Sequence, residues 1–329
     1  MRRRAIWRTA LAALCLTTSS AVAHAQADAA ASYPNRPVRW VVPFAPGGST
    51  TLTARIFAEK LAQAWGQQFI IDNRGGAGGA IGADIVAKSA PDGYTLLFSN
   101  PGPNVGTPLL SSTTPYKPED FASVILFGTA PLILIAHPAF PPRSPKELVE
   151  YLKAKSGKVN WGSSGTGGIT HIGLLLFQNA TRTDYTHVPY KGNGPAFTDL
   201  VGGHIDLLYA TTVSADALIK AKRVKVIGVA ASKRLQSLPE VPTLAENGIK
   251  DAEVAGWFGM SAPAKTPRAI IAKLNREANR IMQTPDAKRR LDELGMEIDG
   301  GSPADFDRFL QREIAQLKTL IKQGALKPE

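Results

Sequence analysis

The sequence predicts an α/β protein with two lobes joined by crossing strands. Short apolar segments of strand length alternate with amphipathic segments of helix length, the pattern of a largely parallel sheet covered by helices. Several of the strand-like segments end in glycine-rich turns that precede a helix. The chain of 329 residues is also long enough to bury two hydrophobic cores.

The first hundred residues predict one βαβαβ unit. Residues 38–43 are apolar enough for a buried strand, and residues 69–72 and 94–99 provide two more. Residues 50–65 place apolar side chains on one helical face, and residues 82–88 form a shorter helix between the second and third strands.

The remainder of the chain continues this alternation and ends in helices. Further strands are predicted at residues 123–127, 132–136, 187–188, 205–209, 225–230 and 254–260. Further helices are predicted at residues 144–157, 169–179, from 195 onward, 214–220, 267–284, 286–294 and 303–322. We expect residues 33–130 together with 255–329 to form lobe 1, and residues 131–254 to form lobe 2.

The last predicted helix has an apolar stripe at three- and four-residue spacing. Its members are Phe306, Phe309, Leu310, Ile314, Leu317 and Ile321. An amphipathic terminal helix commonly packs on its own domain, so we expect this stripe to belong to the core and not to a partner surface.

The first 25 residues have the features of an export signal. Arginines at positions 2, 3, 4 and 8 precede a short apolar core at residues 10–16, and the small residues Ala23 and Ala25 flank His24 at a cleavage site before Gln26. The adjacent arginines at positions 3 and 4 leave the twin-arginine route open, but several arginines are common in ordinary signals, so we favour ordinary secretion. We expect the signal to be cleaved after export.

Composition excludes several classes of protein. Cys15 is the only cysteine and lies within the signal, so disulfides, cysteine nucleophiles and thiolate metal sites are excluded after cleavage. The apolar stretch 124–136 is short and interrupted by Gly128 and Pro131, so no transmembrane helix is predicted. The net charge of +11 is scattered among acidic residues, so we expect no nucleic-acid partner.

Glycine-rich turns give the clearest chemical indication. Residues 46–51 and 75–79 each follow a strand and precede a helix, and residues 162–168 form a third turn of this kind in lobe 2. At a helix N-terminus, unpaired N–H groups and the positive end of the helix dipole favour a carboxylate or phosphate without a charged side chain. The sequence therefore predicts an anion site made largely of main chain.

Five ordered segments resemble the Bug family, the periplasmic solute receptors associated with tripartite tricarboxylate transporters. The segments are 41–50 (VVPFAPGGST), 73–82 (NRGGAGGAIG), 91–97 (PDGYTLL), 187–192 (HVPYKG) and 238–243 (LPEVPT). The resemblance extends from about Tyr33 to the C-terminus. It implies a two-lobed, type II-like periplasmic binding protein that closes on a small organic carboxylate. It also implies delivery of that ligand to the permease subunits of a membrane transporter, with no catalysis, cofactor or metal, and we expect a monomer.

The resemblance also indicates candidate ligand contacts. In lobe 1 they are Phe44, Gly47, Gly48, Ser49, Thr50, Thr51, Ala77, Gly78 and Asn100. In lobe 2 they are Ser163, Gly165, Thr166, Thr170 and Ala210. For each hydroxyl, a helix cap or turn brace is an equal alternative to ligand contact, and for Phe44 a core position is the more frequent role.

Three positions depart from the family pattern. Thr51 stands where the family usually has an acid, Gly168 and Ile169 where it has a small hydroxyl-bearing pair, and Ala210 where it often has an acid. An acid in the cleft would be a natural partner for a ligand ammonium group. Its absence favours a mono- or dicarboxylate, with room for an apolar or aromatic body, over an amino acid.

The alternative function is an exported α/β enzyme acting on a small anion. Gly76, Gly78 and Gly82 resemble a dinucleotide-binding turn, but residues 97–100 lack the acid expected to bind a ribose. We therefore disfavour a dinucleotide-dependent enzyme.

A hydrolase is the other form of this alternative. Residues 162–165 lack the G-x-S-x-G spacing of a nucleophile elbow, and no spacing ties His171, His187 or His204 to a serine. We expect His171 to be able to line the cleft and the other two to have structural or capping roles. The histidines also lack the paired spacing of a metal site.

Overall fold

Ten strands and ten α-helices alternate along the described part of the chain, residues 31–293 and 295–326 of a computed structural model. The strands are β1 (Val38–Val42), β2 (Phe69–Asn73), β3 (Thr95–Ser99), β4 (Phe121–Ala136), β5 (Asn160–Ser163), β6 (Thr186–Pro189), β7 (Leu207–Thr211), β8 (Lys225–Val229), β9 (Ala255–Pro263) and β10 (Glu297–Ile298). The predicted export signal lies outside the described residues.

The α-helices cover the faces of the sheet. They are α1 (Ser49–Trp65), α2 (Ala80–Ala87), α3 (Thr107–Leu110), α4 (Pro145–Ala154), α5 (Ile169–Thr181), α6 (Asn193–Gly202), α7 (Thr212–Lys220), α8 (Arg268–Met282), α9 (Pro285–Glu293) and α10 (Pro303–Lys322). Among the residues that the structure describes, no helix combines the length and the apolar character needed to cross a membrane.

The sheet has a first half, with β1, β2, β3 and β9, and a second half, with β5, β6, β7 and β8. One long strand, β4, belongs to both halves. It pairs with β9 from Phe121 to Pro131, and with β7 from Leu132 and β8 from Ile133 onward. The strand order is β2-β1-β3-β9-β4-β7-β5-β6, with β8 and β10 also paired to β4. The strands β1 to β3 are parallel, as are β5 to β7, whereas β4 and β9 are antiparallel to their neighbours.

The prediction of two strands at residues 123–127 and 132–136 is wrong, because they are parts of β4, a single strand of 16 residues. Gly128 lies at a register shift, and a Cβ there would stand 2.2 Å from the carbonyl oxygen of Glu297, so glycine lets β10 pair with β4. Pro131 is the last residue paired to β9, so its missing N–H falls where β4 changes partners.

Alternate side chains of the strands enter different hydrophobic clusters. Trp40 of β1 packs in one cluster of the first half of the sheet and Val41 in another. Leu134 and Ile133 of β4 divide in the same way between two clusters of the second half. This period of two is what a sheet covered on both faces requires.

The apolar stripe of α10 is part of the core, which confirms its prediction. Phe306, Ile314 and Leu317 are buried. They belong to the cluster that contains Trp161 of β5 and Phe177 of α5. The terminal helix α10 therefore packs against this cluster, which includes residues of β4.

Candidate ligand-binding site

The N-termini of α1, α5 and α6 contribute to one pocket of about 50 Å³ between the two halves of the sheet. Its lining residues are Phe44, Gly48, Ser49, Thr50, Asn100, Pro101, Leu132, Ser164, Ile169, Thr170, Asn193, Thr211, Gly256, Trp257 and Phe258. None of these has a charged side chain. The pocket combines hydroxyl and amide groups with aromatic and aliphatic walls.

The helices that reach the pocket each begin after a glycine N-cap. Gly48, Gly168 and Gly192 precede α1, α5 and α6, and no side chain caps any of the three. By contrast, the hydroxyls of Ser144 and Ser302 accept hydrogen bonds at the starts of α4 and α10. The first N–H groups of the three pocket helices are therefore left for a ligand, and the helix dipoles favour an anion there.

Of the sequence-predicted contacts, those that line this pocket are Phe44, Gly48, Ser49, Thr50, Asn100 and Thr170. Ala77 and Thr166 line a separate groove beside α2. The remaining six are absent from the lining of the pocket: Gly47, Thr51, Gly78, Ser163, Gly165 and Ala210. Their surroundings show what each of them does instead.

Thr51 braces the turn before α1. It is buried, and its Oγ1 accepts a hydrogen bond of 2.8 Å from Nδ2 of Asn73. The same amide group donates to the carbonyl oxygen of Phe44, also at 2.8 Å. Asn73 thereby ties β2 to both ends of the turn between Phe44 and Thr51. The hydroxyl of Thr51 thus acts as a turn brace, the alternative role that the sequence left open for it.

Gly78 and Gly165 contact each other from opposite walls of the cleft. A Cβ on Gly165 would lie 2.8 Å from the nitrogen of Gly78, and one on Gly78 would lie 2.0 Å from the carbonyl oxygen of Thr166. Gly47 meets Gly194 in the same manner, at 3.2 Å from its Cα. These glycines allow main chain to approach main chain.

A hydrogen bond joins the same two surfaces. The N–H of Ala45 donates to the carbonyl oxygen of Lys191 at 2.8 Å. Gly106 also abuts the opposite turn, since a Cβ there would lie 2.0 Å from the carbonyl oxygen of Gly167. The structure is therefore that of a cleft whose two walls are in contact.

Ser163 and His187 form a pair that the sequence spacing did not indicate. The serine hydroxyl lies 2.7 Å from Nε2 of His187, and it accepts a hydrogen bond from the N–H of Gly165. The His187 ring stacks on His171 with 4.4 Å between ring centroids. Burial, and secondarily His187, lowers the pKa of His171 to about 4, and burial lowers the pKa of His187.

His171 does not line the pocket, contrary to its expected place. It is buried, and its Nδ1 accepts a hydrogen bond from the N–H of Gly167. Both histidines thus form hydrogen bonds with the turn at residues 163–168, His187 with Ser163 and His171 with Gly167. Within residues 31–293 and 295–326, no group of histidine and acidic side chains has the arrangement of a metal site.

Ala210 lies in the core and not in the cleft. It is fully buried and packs in the apolar cluster that contains Ile133 and Phe197. The next residue, Thr211, lines the pocket and caps α7. The absence of an acid at position 210 is therefore a property of the core, whereas the uncharged character of the cleft rests on the lining residues themselves.

The residues that sequence reasoning missed come mainly from strand ends and the crossing strands. They are Pro101, Leu132, Ser164, Asn193, Thr211, Gly256, Trp257 and Phe258. The sequence did offer a reason to consider two of them. Asn193 directly follows the family segment 187–192, and Thr211 lies at the end of a strand, as the predicted contact Asn100 does. Trp257 had none, because it reaches the pocket only through the pairing of β9 with β4.

Known proteins are similar to this chain in sequence and in architecture. Residues 53–326 match the model of the tripartite tricarboxylate transporter family receptor. Protein BugT of Bordetella pertussis is 33% identical over 320 residues, which cover 97% of this chain and 97% of BugT.

Two solved structures superpose on most of the chain. One is a Rhodopseudomonas palustris protein with adipate, at 34% identity and a TM-score of 0.86, covering 91% of this chain and all of that one. The other is MatC from the same organism with bound malate, at 34% identity and a TM-score of 0.84, covering 88% of this chain and all of MatC. The chain has the fold of the two-lobed periplasmic binding proteins and belongs to the family of tripartite tricarboxylate transporter receptors.

Proposed function

We propose that this protein is a periplasmic receptor that binds one small organic carboxylate between its lobes and delivers it to a tripartite transporter. The observation that carries the proposal is an uncharged pocket at which three glycine-capped helix N-termini meet. Such a pocket supplies N–H and hydroxyl donors to a carboxylate and offers no counter-ion to a cation.

The ligands of the two solved relatives support the class. Adipate and malate each carry two carboxylates, and each is bound by a protein 34% identical to this chain. The walls formed by Phe44, Trp257 and Phe258 suit a ligand with an apolar segment between or beside its carboxylates. Mono- and dicarboxylates are therefore expected to bind more tightly than amino acids, whose ammonium group would lose water without a countercharge.

We also propose that the lobes divide where β4 changes partners. The pairing of β4 with β9 ends at Pro131 opposite Ala255, and pairing with β7 begins at Leu132. This favours residues 33–130 with 255–329 as lobe 1 and residues 131–254 as lobe 2. Two crossing strands would then serve as the hinge about which the cleft opens.

The remaining parts of the proposal concern the receptor's setting. Periplasmic location follows from the family and from the predicted signal at residues 1–25, which processing would remove. The partners would be the membrane permease subunits of the transporter, and the receptor would act as a monomer.

A binding screen tests the proposal. The mature protein should show a raised melting temperature with one or more members of a panel of mono-, di- and tricarboxylates, because a ligand that binds only the folded state stabilises it. Isothermal titration calorimetry of each hit should give one site per chain. A panel in which no carboxylate shifts the melting temperature, or in which amino acids alone do so, would contradict the proposal.

A further inference from the structure

Asn193 presents an acceptor whose orientation is fixed by the main chain. It is the first residue of α6 and lines the pocket. Its Nδ2 donates a hydrogen bond of 3.0 Å to the carbonyl oxygen of Tyr209. A carbonyl oxygen can only accept, so this bond identifies which side-chain atom is the nitrogen and leaves Oδ1 as the free end.

Oδ1 of Asn193 is buried and has no hydrogen-bond partner among the residues that the structure describes. A buried acceptor without a donor is unfavourable, and such atoms in folded proteins commonly mark a place that a ligand or an ordered water completes. Asn193 borders the pocket, so a ligand that enters there is a source of the missing donor.

We propose that Oδ1 of Asn193 accepts a hydrogen bond from a hydroxyl group of the ligand, so that this receptor prefers hydroxycarboxylates to their unsubstituted parents. The inference rests on the proposed function, because the carboxylate must first be held by the helix N-termini. It adds a determinant of specificity to that site.

The other polar groups of the pocket do not impose this preference. Ser49 and Thr50 carry hydroxyls, which rotate and can both donate and accept, so they accommodate a carboxylate oxygen or a hydroxyl equally. Oγ1 of Thr170 already accepts a hydrogen bond of 2.7 Å from the N–H of Ser164. The amide oxygen of Asn193 can only accept, and it is repelled by a second carboxylate placed against it. It therefore distinguishes a donor from an acceptor at one position on the ligand.

A hydroxyl fits this acceptor better than an ammonium group. Both could donate to Oδ1, but the described part of the chain places no acidic side chain in the pocket lining to compensate for a buried positive charge. A hydroxyl is neutral and loses less hydration on entering. The pocket thus favours a hydroxycarboxylate over the amino acid of the same shape.

The test compares ligands that differ by one hydroxyl. Calorimetric dissociation constants would be measured for succinate and malate, glutarate and 2-hydroxyglutarate, and propionate and lactate, using both enantiomers of each hydroxyacid. We expect one enantiomer in at least one pair to bind at least about tenfold more tightly than its parent. Aspartate should bind more weakly than malate.

The variant Asn193→Leu separates ligand contact from packing. Loss of the bond to Tyr209 would weaken both members of a pair alike, whereas loss of the acceptor would reduce their ratio to within about twofold. Thr50→Val is the matched control, because it removes a pocket hydroxyl and should weaken both members while keeping the ratio.

Two outcomes would overturn the inference and leave the proposed function intact. One is binding of carboxylates by the unaltered protein without preference for the hydroxylated member. The other is a preference that survives in Asn193→Leu, as would follow if water alone completes Oδ1. Binding of none of these acids would instead contradict the proposed function, and the inference with it.

Discussion

The hydroxyl of Ser163 lies 2.7 Å from Nε2 of His187, the distance of a nucleophile from its general base. Ser163 nevertheless has no exposed surface and does not line the pocket. Its oxygen also accepts from the N–H of Gly165. The pair therefore shapes the glycine-rich turn at residues 162–168, and it does so without access to a substrate.

Replacing Ser163 should affect stability and not catalysis. Ser163→Ala removes the bonds to His187 and to the N–H of Gly165, so we expect a loss of about 1–3 kcal/mol in the free energy of unfolding. Urea denaturation measures this, with Ser156→Ala, at an exposed position, as the control. Hydrolysis of a chromogenic ester by the unaltered protein, abolished in Ser163→Ala, would contradict the structural role.

Stability should fall when the pH is lowered from about 6.5 to about 4. The pKa of buried His171 is lowered to about 4, whereas an unfolded histidine titrates near about 6.5, so the unfolded chain binds the additional proton in this interval. Above about 6.5 the stabilisation is complete. The loss attributable to His171 is on the order of 3 kcal/mol by pH 4, and the lowered pKa of His187 acts in the same direction.

Denaturation midpoints at several pH values between 7 and about 4 would reveal this dependence. His171→Gln should flatten the profile because it removes the titrating group. His204→Gln, at an exposed histidine, should leave the profile unchanged. A steep profile that persists in His171→Gln would show that other groups account for it.

Gly106→Ala should prevent closure of the cleft. Gly106 has φ −65° and ψ −57°, which alanine adopts freely, but its Cβ would lie 2.0 Å from the carbonyl oxygen of Gly167. We expect a folded protein that binds its carboxylate at least about tenfold more weakly, since the contacts of the closed state are lost.

Small-angle scattering would follow this closure directly. The unaltered protein should become more compact when saturated with ligand, and Gly106→Ala should not. Gly202→Ala is the control, because its added Cβ meets only the ring of His204, at 3.1 Å. Equal compaction in both variants would mean that the main chain near Gly106 and Gly167 shifts to accommodate the added methyl group, so that the cleft still closes.

An introduced acid should lower stability at position 210 and change ligand specificity at position 211. Ala210→Asp places a carboxylate in an apolar cluster, so we expect destabilisation of several kcal/mol, measured as a lowered melting temperature. Thr211→Asp keeps the cap of α7, because aspartate is a favourable N-cap, and adds a charge to the pocket wall.

For Thr211→Asp the expected result is a folded protein with altered specificity. Carboxylates should bind more weakly through like-charge repulsion, and an amino acid such as aspartate should gain affinity relative to succinate. Calorimetry on the two ligands measures the change. A folded Thr211→Asp protein that binds succinate as tightly as before would indicate that Thr211 lies outside the bound ligand's reach.

The sequence by itself determined the α/β alternation, the glycine-rich turns and the family. These features are local: strand and helix periods, cap residues and turn glycines each depend on neighbours within a few positions. The turn at residues 46–51 was therefore predictable as a glycine-rich start of a helix. Where local features misled, as at Gly128 and Pro131 in β4, distant partners compensated for residues that otherwise interrupt a strand.

Only the tertiary structure decided which glycines line the pocket and which let its walls touch. Gly48 and Gly78 occupy similar turns in the sequence, yet one faces the pocket and the other meets Thr166. The places of Asn193 and Trp257 were decided in the same way. The reason is physical: these roles arise from contacts between segments far apart in the chain, which form when two lobes pack and which no local pattern encodes.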